Sequence, residues 1–311
     1  MKKLDELKEI FDTKLKELAI NSSIYKVDDF GYITSNNRLY KNYLSNEYWN
    51  NFILDMRVNH VDAYKSYNTG KGSELLEQKT PPKMASIASS SRFIYNTLKS
   101  DTYNKLKLMS DDLLENGIFF FEEGLKIDNI TGTSPQMDCV YYTTNKAIFI
   151  EAKCHEFFTD HKICFTKQYF DKGHLTSNNL YSFNIDNKYI EQDYSIKKQA
   201  FGYKEDEVLL INVQQALRHM LGIANPTKYS IDYKKELIFL YFKPTILINE
   251  IDQNSIKIKN LFDIITNQFK TLFNSKYVKD FCDRYNIKVK LIYSTNDTFE
   301  SEFKCEIEKL N

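Results

Sequence analysis

Three runs of aromatic and β-branched residues lie close together near the middle of this 311-residue chain, and they restrict its fold more than any other feature. Residues 118–127 (IFFFEEGLKI), 136–143 (QMDCVYYT) and 147–153 (AIFIEAK) are each bounded by turn-forming residues, which predicts three consecutive β-strands. Links this short cannot carry a crossover, so the three should be antiparallel neighbours. Thr144-Asn145 makes a tight turn between the second and third runs. If Thr143 pairs with Lys146, partner numbers sum to a constant, and Asp138 falls opposite Glu151. Alternation along a strand then gathers Asp138, Glu151 and Lys153 on one face.

The rest of the chain has to cover such a sheet. Leu4, Leu7, Ile10, Phe11, Leu15 and Leu18 recur at helical spacing, so residues 3–20 should form an amphipathic helix. From 21 to 67 the pattern is irregular and aromatic-rich, with turn residues at 68–72 and a stop at Pro81-Pro82. Helices are predicted over 83–99, which is rich in small residues, and over 101–115. The stretch 154–206 is polar and without a sustained period, and reads as an insertion. A helix over 207–223, a strand over 236–243, a helix over 258–283 and a strand over 287–293 complete the pattern. Strands reached through helices should run parallel by right-handed crossovers. The expected fold is α/β, a central mixed sheet flanked by helices. Its parts would be a helical N-terminal region (1–82) and a core (83–311) carrying the 154–206 insertion after the hairpin.

Composition removes several function classes. Lys+Arg and Asp+Glu are equal at 42 each, which excludes affinity built on a bulk positive field but leaves room for a local basic cleft. Five scattered cysteines without a CxxC pair suit a reducing compartment and indicate neither a disulfide framework nor a zinc knuckle. The first 18 residues carry acidic residues throughout, and no run approaches the roughly 20 apolar residues that span a bilayer. A cytoplasmic protein without membrane attachment is expected. No GxGxxG, GxxxxGK[ST] or Gly-x-Ser-x-Gly motif is present, which argues against phosphate-loop chemistry and a serine elbow. His155, His161 and His174 lack zinc-ligand spacing.

The hairpin cluster carries the chemistry. Two facing carboxylates repel each other and destabilise a sheet unless a cation lies between them. Oxygen donors favour a hard ion, Mg²⁺, which accepts one or two carboxylates and keeps several waters. Asp138 and Glu151 are the expected ligands, and the Ala152 carbonyl adds an oxygen. Lys153 beside them can orient or deprotonate a water, or meet a phosphate charge; a cation that acidifies water next to a phosphate supports hydrolysis. A Glu-x-Lys triplet alone carries nothing, since Glu6-Lys8, Glu77-Lys79 and Glu302-Lys304 fit it equally. What distinguishes Glu151-Ala152-Lys153 is its place at the end of an apolar strand, with Asp138 on the strand before. The plain alternative is a surface charge pair on a half-exposed hairpin.

Pro135-Gln136-Met137-Asp138 followed by Glu151-Ala152-Lys153 resembles the PD-(D/E)xK nuclease superfamily, with its restriction-endonuclease-like fold, over roughly residues 83–243. Two residues instead of none separate the proline from the aspartate, a variation that keeps the metal ligand. The resemblance implies that Asp138 and Glu151 bind the metal and that Lys153 assists the water. Some branches carry a glutamine on the following helix with an aromatic or histidine four residues on. Gln215 and His219 match, on one helix face, with Gln214 as an alternative. A further acidic residue near the metal is also implied, with Glu115 or Glu122 as candidates and Glu74 or Glu77 as more distant ones. Ser89-Ser90-Ser91-Arg92 offers an arginine to a backbone phosphate, or else an ordinary helix–sheet contact.

The resulting expectation is a Mg²⁺-dependent type II restriction endonuclease acting on double-stranded DNA, with Asp138, Glu151, Lys153 and Gln215 as catalytic residues. It would work as a homodimer, with a companion DNA methyltransferase as a possible partner. The rivals are a repair or recombination nuclease of the same superfamily and a catalytically inactive DNA-binding module.

Overall fold

The structure is a computed structural model, and it describes residues 2–22, 24–70, 72–77, 80–110, 115–132, 134–177, 180–244, 253–296 and 303–310. The predicted mixed sheet is present and has six strands: β3 (Ile118–Gly124), β4 (Gln136–Tyr142), β5 (Lys146–Lys153), β6 (Lys234–Phe242), β7 (Ile287–Ser294) and β8 (Cys305–Lys309), in that spatial order. β3, β4 and β5 are antiparallel, β5–β6–β7 are parallel, and β8 returns antiparallel at the far edge. β5 and β6 are buried along nearly their whole length, because helices cover both faces of the parallel part.

Before the sheet come α1 (Lys2–Asn21), a hairpin of β1 (Phe30–Ile33) and β2 (Leu39–Leu44), α2 (Asn46–Asn59), α3 (Val61–Thr69), α4 (Ser90–Leu98) and α5 (Thr102–Met109). The N-terminal region is thus helical with a two-stranded hairpin that its irregular pattern did not announce. Between β5 and β6 lie the short α6 (Lys167–Asp171) and then α7 (Val213–Ile223); α8 (Gln253–Asn274) and α9 (Lys276–Arg284) precede β7. Among the described residues no helix is long and apolar enough to cross a membrane.

Where helix boundaries differ from the sequence pattern, local hydrogen bonds give the reason. The predicted helix over 83–99 shortens to α4 because residues 86 and 87 are drawn into pairing with β2: Tyr43 bridges Ser86, and Ile87 N donates to Asn42 O. Ser89 then caps the helix, accepting from Arg92 N. α7 starts at Val213, six residues late, because Leu209 N and Leu210 N donate to Asp160 and Gln268 side chains, and Asn212 caps Gln215 N. The helix over 258–283 breaks at Ser275, the N-cap position of α9. α5 ends at Met109, and residues 111–114 of the helix predicted there lie outside the described residues. The 154–206 stretch has little regular structure but packs deeply. Phe157 and Phe158 lie against Phe11 of α1, and Phe183 stacks on Phe281 of α9 with centroids 4.2 Å apart.

α7 approaches the sheet closely at Gly222, where a Cβ would lie 2.5 Å from Leu125 Cβ. Gly222→Ala should therefore destabilise by about 1–3 kcal/mol, although alanine is the better helix former. A urea midpoint equal to or above that of the wild type would contradict this close approach.

At the N-terminal ends of the parallel strands sits a buried charge cluster. Glu236 of β6 accepts from Lys146 Nζ of β5 at 2.5 Å and pairs with Lys290 of β7. Ser110 Oγ bonds both Lys146 and Glu236, and Lys290 Nζ donates to Met109 O at 2.9 Å.

Candidate active site

At the opposite end of the same strands, the β4–β5 hairpin brings the expected residues together. Thr143 N donates to Lys146 O at 2.8 Å, and the pairs Tyr142–Ala147 through Cys139–Ile150 keep one constant sum. Cys139–Ile150 is the last pair of that ladder, so the expected pairing of Asp138 with Glu151 is not part of it. Beyond Cys139–Ile150, Asp138 Oδ2 takes the Ala152 N–H at 2.6 Å. A strand residue points its N–H and C=O to the same side, so the Ala152 carbonyl also faces β4.

Glu151 is 3% exposed, and its two oxygens differ. Oε1 accepts from Lys153 Nζ and from Gln215 Nε2 of α7, each at 2.6 Å. Oε2 has no hydrogen-bond partner among the described residues; His219 Nδ1 lies 3.7 Å away, likewise unbonded. Gln215, not Gln214, reaches the carboxylate. A buried carboxylate oxygen left without a donor is costly, and it marks where a cation fits.

A cleft of about 500 Å³ opens over this cluster. Glu122 and Glu74 line it; Glu115 does not, since its carboxylate accepts from Asn145 at the far turn, and Glu77 bonds Tyr32 and Ser35. Glu122 sits in β3 with φ +52, a left-handed conformation that glutamate rarely adopts, between pairs that otherwise hold one register. Ser89, Ser90 and Ser91 line the cleft, but Arg92 does not follow them. It is 3% exposed and donates to Ile87 O, so the idea of an arginine on a phosphate fails: α4 turns that side chain inward.

The electrostatics of the cleft are those of crowded carboxylates. Burial, then Glu151 and Glu122, raise Asp138 well above the usual carboxylate range. Burial, then Glu74 and Glu151, push Glu122 up to about 8. Burial opposes the charge on Lys153, but Glu151, Glu156 and Asp138 outweigh it and hold the ammonium above its ordinary value. That direction favours a charged Lys153, which suits orienting water or meeting a phosphate better than taking a proton. Burial lowers His219, which favours neutral imidazole.

Glu156 was missed by sequence reasoning. Its Oε2 accepts from the Cys154 and His155 amides at 2.8 and 3.0 Å. Burial works against its ionisation, but Lys153, His155 and the backbone amides of Cys154 and Glu156 prevail and hold it below the usual range. Only its place three residues past the end of the Glu-x-Lys triplet could have hinted at it, and such a hint is weak. The three histidines noted earlier go to separate partners: His155 to Asp12, His161 to Glu156 O, and His174 to Asp128 O.

Among the described residues no group of three or more His, Cys, Asp or Glu side chains forms a ready cage for a metal. Mg²⁺ does not need one, because it binds through one or two carboxylates and retains water. Asp138, Glu151 and the Ala152 carbonyl suit that requirement, and the unbonded Glu151 Oε2 supports the fit.

A pH effect follows. Glu122 titrates higher folded than unfolded, so the stability it contributes is full below about pH 4.5 and is lost as pH rises through about 8; Asp138, also raised, acts in the same direction. A divalent cation binds the ionised forms, so its stabilisation should grow over the same window. Asp138→Asn, which imitates the protonated acid, should leave the metal-free melting temperature within a few degrees (a change of about 0.5 kcal/mol) and remove the Mg²⁺ response. A variant that Mg²⁺ still stabilises as the wild type would count against Asp138 as a ligand.

No protein-family model, curated protein or solved structure matches this chain.

Proposed function

We propose that this chain is a Mg²⁺-dependent endonuclease that hydrolyses phosphodiester bonds of double-stranded DNA, a type II restriction enzyme of the PD-(D/E)xK kind. The observation that carries the reading is the meeting of Asp138 and Glu151, from adjacent antiparallel strands, beside the Lys153 ammonium, with one Glu151 oxygen left unbonded. When bound, Mg²⁺ would acidify water and neutralise charge developing on the phosphate. Asp138, Glu151 and the Ala152 carbonyl would hold the ion. Lys153 stays charged and is directed at the phosphate or the attacking water. Gln215 fixes the Glu151 carboxylate through Oε1, which leaves Oε2 without a hydrogen bond among the described residues. Neutral His219 stands behind Oε2 and supplies no competing positive charge.

Cutting both strands with one site per chain calls for a two-fold dimer, and a DNA methyltransferase of the same specificity would protect the host. Groove contacts fall to the N-terminal region and to exposed parts of 154–206. The test is incubation of unmethylated phage DNA with the protein and Mg²⁺, with a chelator as control. Discrete bands that the chelator abolishes are the expected result; a ladder growing from DNA ends would replace the restriction reading with an exonuclease acting in repair, and intact DNA would end both.

A further inference from the structure

His155 follows β5 by two residues and lines the cleft together with Lys153 and Glu156. Its Nδ1 lies 3.0 Å from Oδ1 of Asp12, a residue of α1 that is only 8% exposed and stands outside the cleft wall. An ionised carboxylate only accepts, so Nδ1 carries the hydrogen and the ring is held in one orientation. Among the described residues nothing hydrogen-bonds Nε2, and with Asp12 occupying the other edge of the ring, that nitrogen is left to the cleft. A buried carboxylate that orients an imidazole, whose second nitrogen faces a reaction site, is the arrangement of a proton-transfer dyad.

Resting on the nuclease reading above, we propose that His155 is the proton donor to the leaving 3′ oxygen and that Asp12 is its positioning residue. In the step, a water oxygen bonds to phosphorus and the P–O3′ bond breaks, its electron pair staying on O3′. The Nε2 proton of the imidazolium passes to O3′, giving a 3′ hydroxyl and a 5′ phosphate. The proton released by the water goes to bulk solvent, from which the imidazole recovers its own. Asp12 stabilises the imidazolium between turnovers. The α1 helix therefore belongs to the site, although it lies more than a hundred residues from the hairpin in sequence.

The test compares ordinary DNA with the same oligonucleotide carrying a 3′-bridging sulfur at the scissile linkage, which leaves as a thiolate without a proton. His155→Ala and His155→Gln should lower kcat on the ordinary linkage by about 10²-fold or more, leave KM unchanged, and cut the sulfur-bridged linkage as fast as the wild type. Asp12→Asn should show part of the same loss and the same recovery. Melting curves identify any variant that fails to fold. The metal-free protein gives an independent readout: long-range ¹H–¹⁵N spectra, assigned with His155→Gln, should show neutral His155 protonated at Nδ1, with Asp12→Asn shifting it toward Nε2. Equal losses on both linkages, no loss on either, or an Nε2-protonated ring in the wild type overturns the dyad while the nuclease reading stands. A wild type that cuts neither linkage ends both.

Discussion

Glu151→Gln should reduce Mg²⁺-dependent cleavage of plasmid DNA by on the order of 10³-fold, the scale at which a buried, preorganised electrostatic group acts. The amide keeps an oxygen where Lys153 and Gln215 donate, so shape and packing are retained. What disappears is the charge on the unbonded oxygen, and with it the cation. The loss should therefore be accompanied by a vanished Mg²⁺-induced rise in melting temperature. Lys153→Met separates the two roles: activity should fall while the thermal response to Mg²⁺ survives, because the carboxylates remain. Glu151→Gln cutting at the wild-type rate would remove the basis of the proposed chemistry.

The second large effect lies at the other end of the sheet. Glu236→Ala should cost about 3–5 kcal/mol, because it removes a buried carboxylate that pairs with two buried ammonium groups. Lys146 and Lys290 are 8% and 2% exposed, and both pair with this carboxylate. Against a total stability of about 5–15 kcal/mol, a variant so weakened should unfold at far lower urea. Replacing all three together (Glu236→Leu, Lys146→Met, Lys290→Met) should be close to neutral, since the desolvation of the ions goes with them. A single variant with an unchanged urea midpoint would show that the lysines find other partners at little cost. The cluster joins β5, β6 and β7.

Much of this fold could be read from the chain, and for identifiable reasons. The hairpin was legible because a two-residue turn sets the register and the side-chain period of two does the rest; Thr143–Lys146 closes it as expected. β6 and β7 announced themselves by apolar runs, as strands buried on both faces do. β8 did not, because Cys305–Lys309 alternates charge with a single isoleucine. Helix starts were misplaced wherever a side chain rather than periodicity decides them, as with Asn212 before α7 and Ser89 before α4. In the candidate site, Asp138, Glu151, Lys153 and Gln215 lie together because register and helix spacing are local rules. Glu74, Glu156 and His155 reach the cleft, and Asp12 reaches His155 from outside its wall, through tertiary packing or an irregular bend, for which a single sequence carries no period. Choosing Glu122 over Glu115 needed the backbone conformation at φ +52, which no composition rule supplies.

Gly72 has a consequence for anyone wishing to transplant this centre. A Cβ there would stand 2.8 Å from Glu74 Oε1 and 3.3 Å from Glu122 Oε2, so the missing side chain is itself part of the acidic wall. Half of that wall is donated by the loop after α3 and half by the sheet. A graft limited to the β4–β5 hairpin would carry the proposed ligands into a new host without the chamber that concentrates their charge, and the borrowed motif should hold a cation no better than a surface pair of acids.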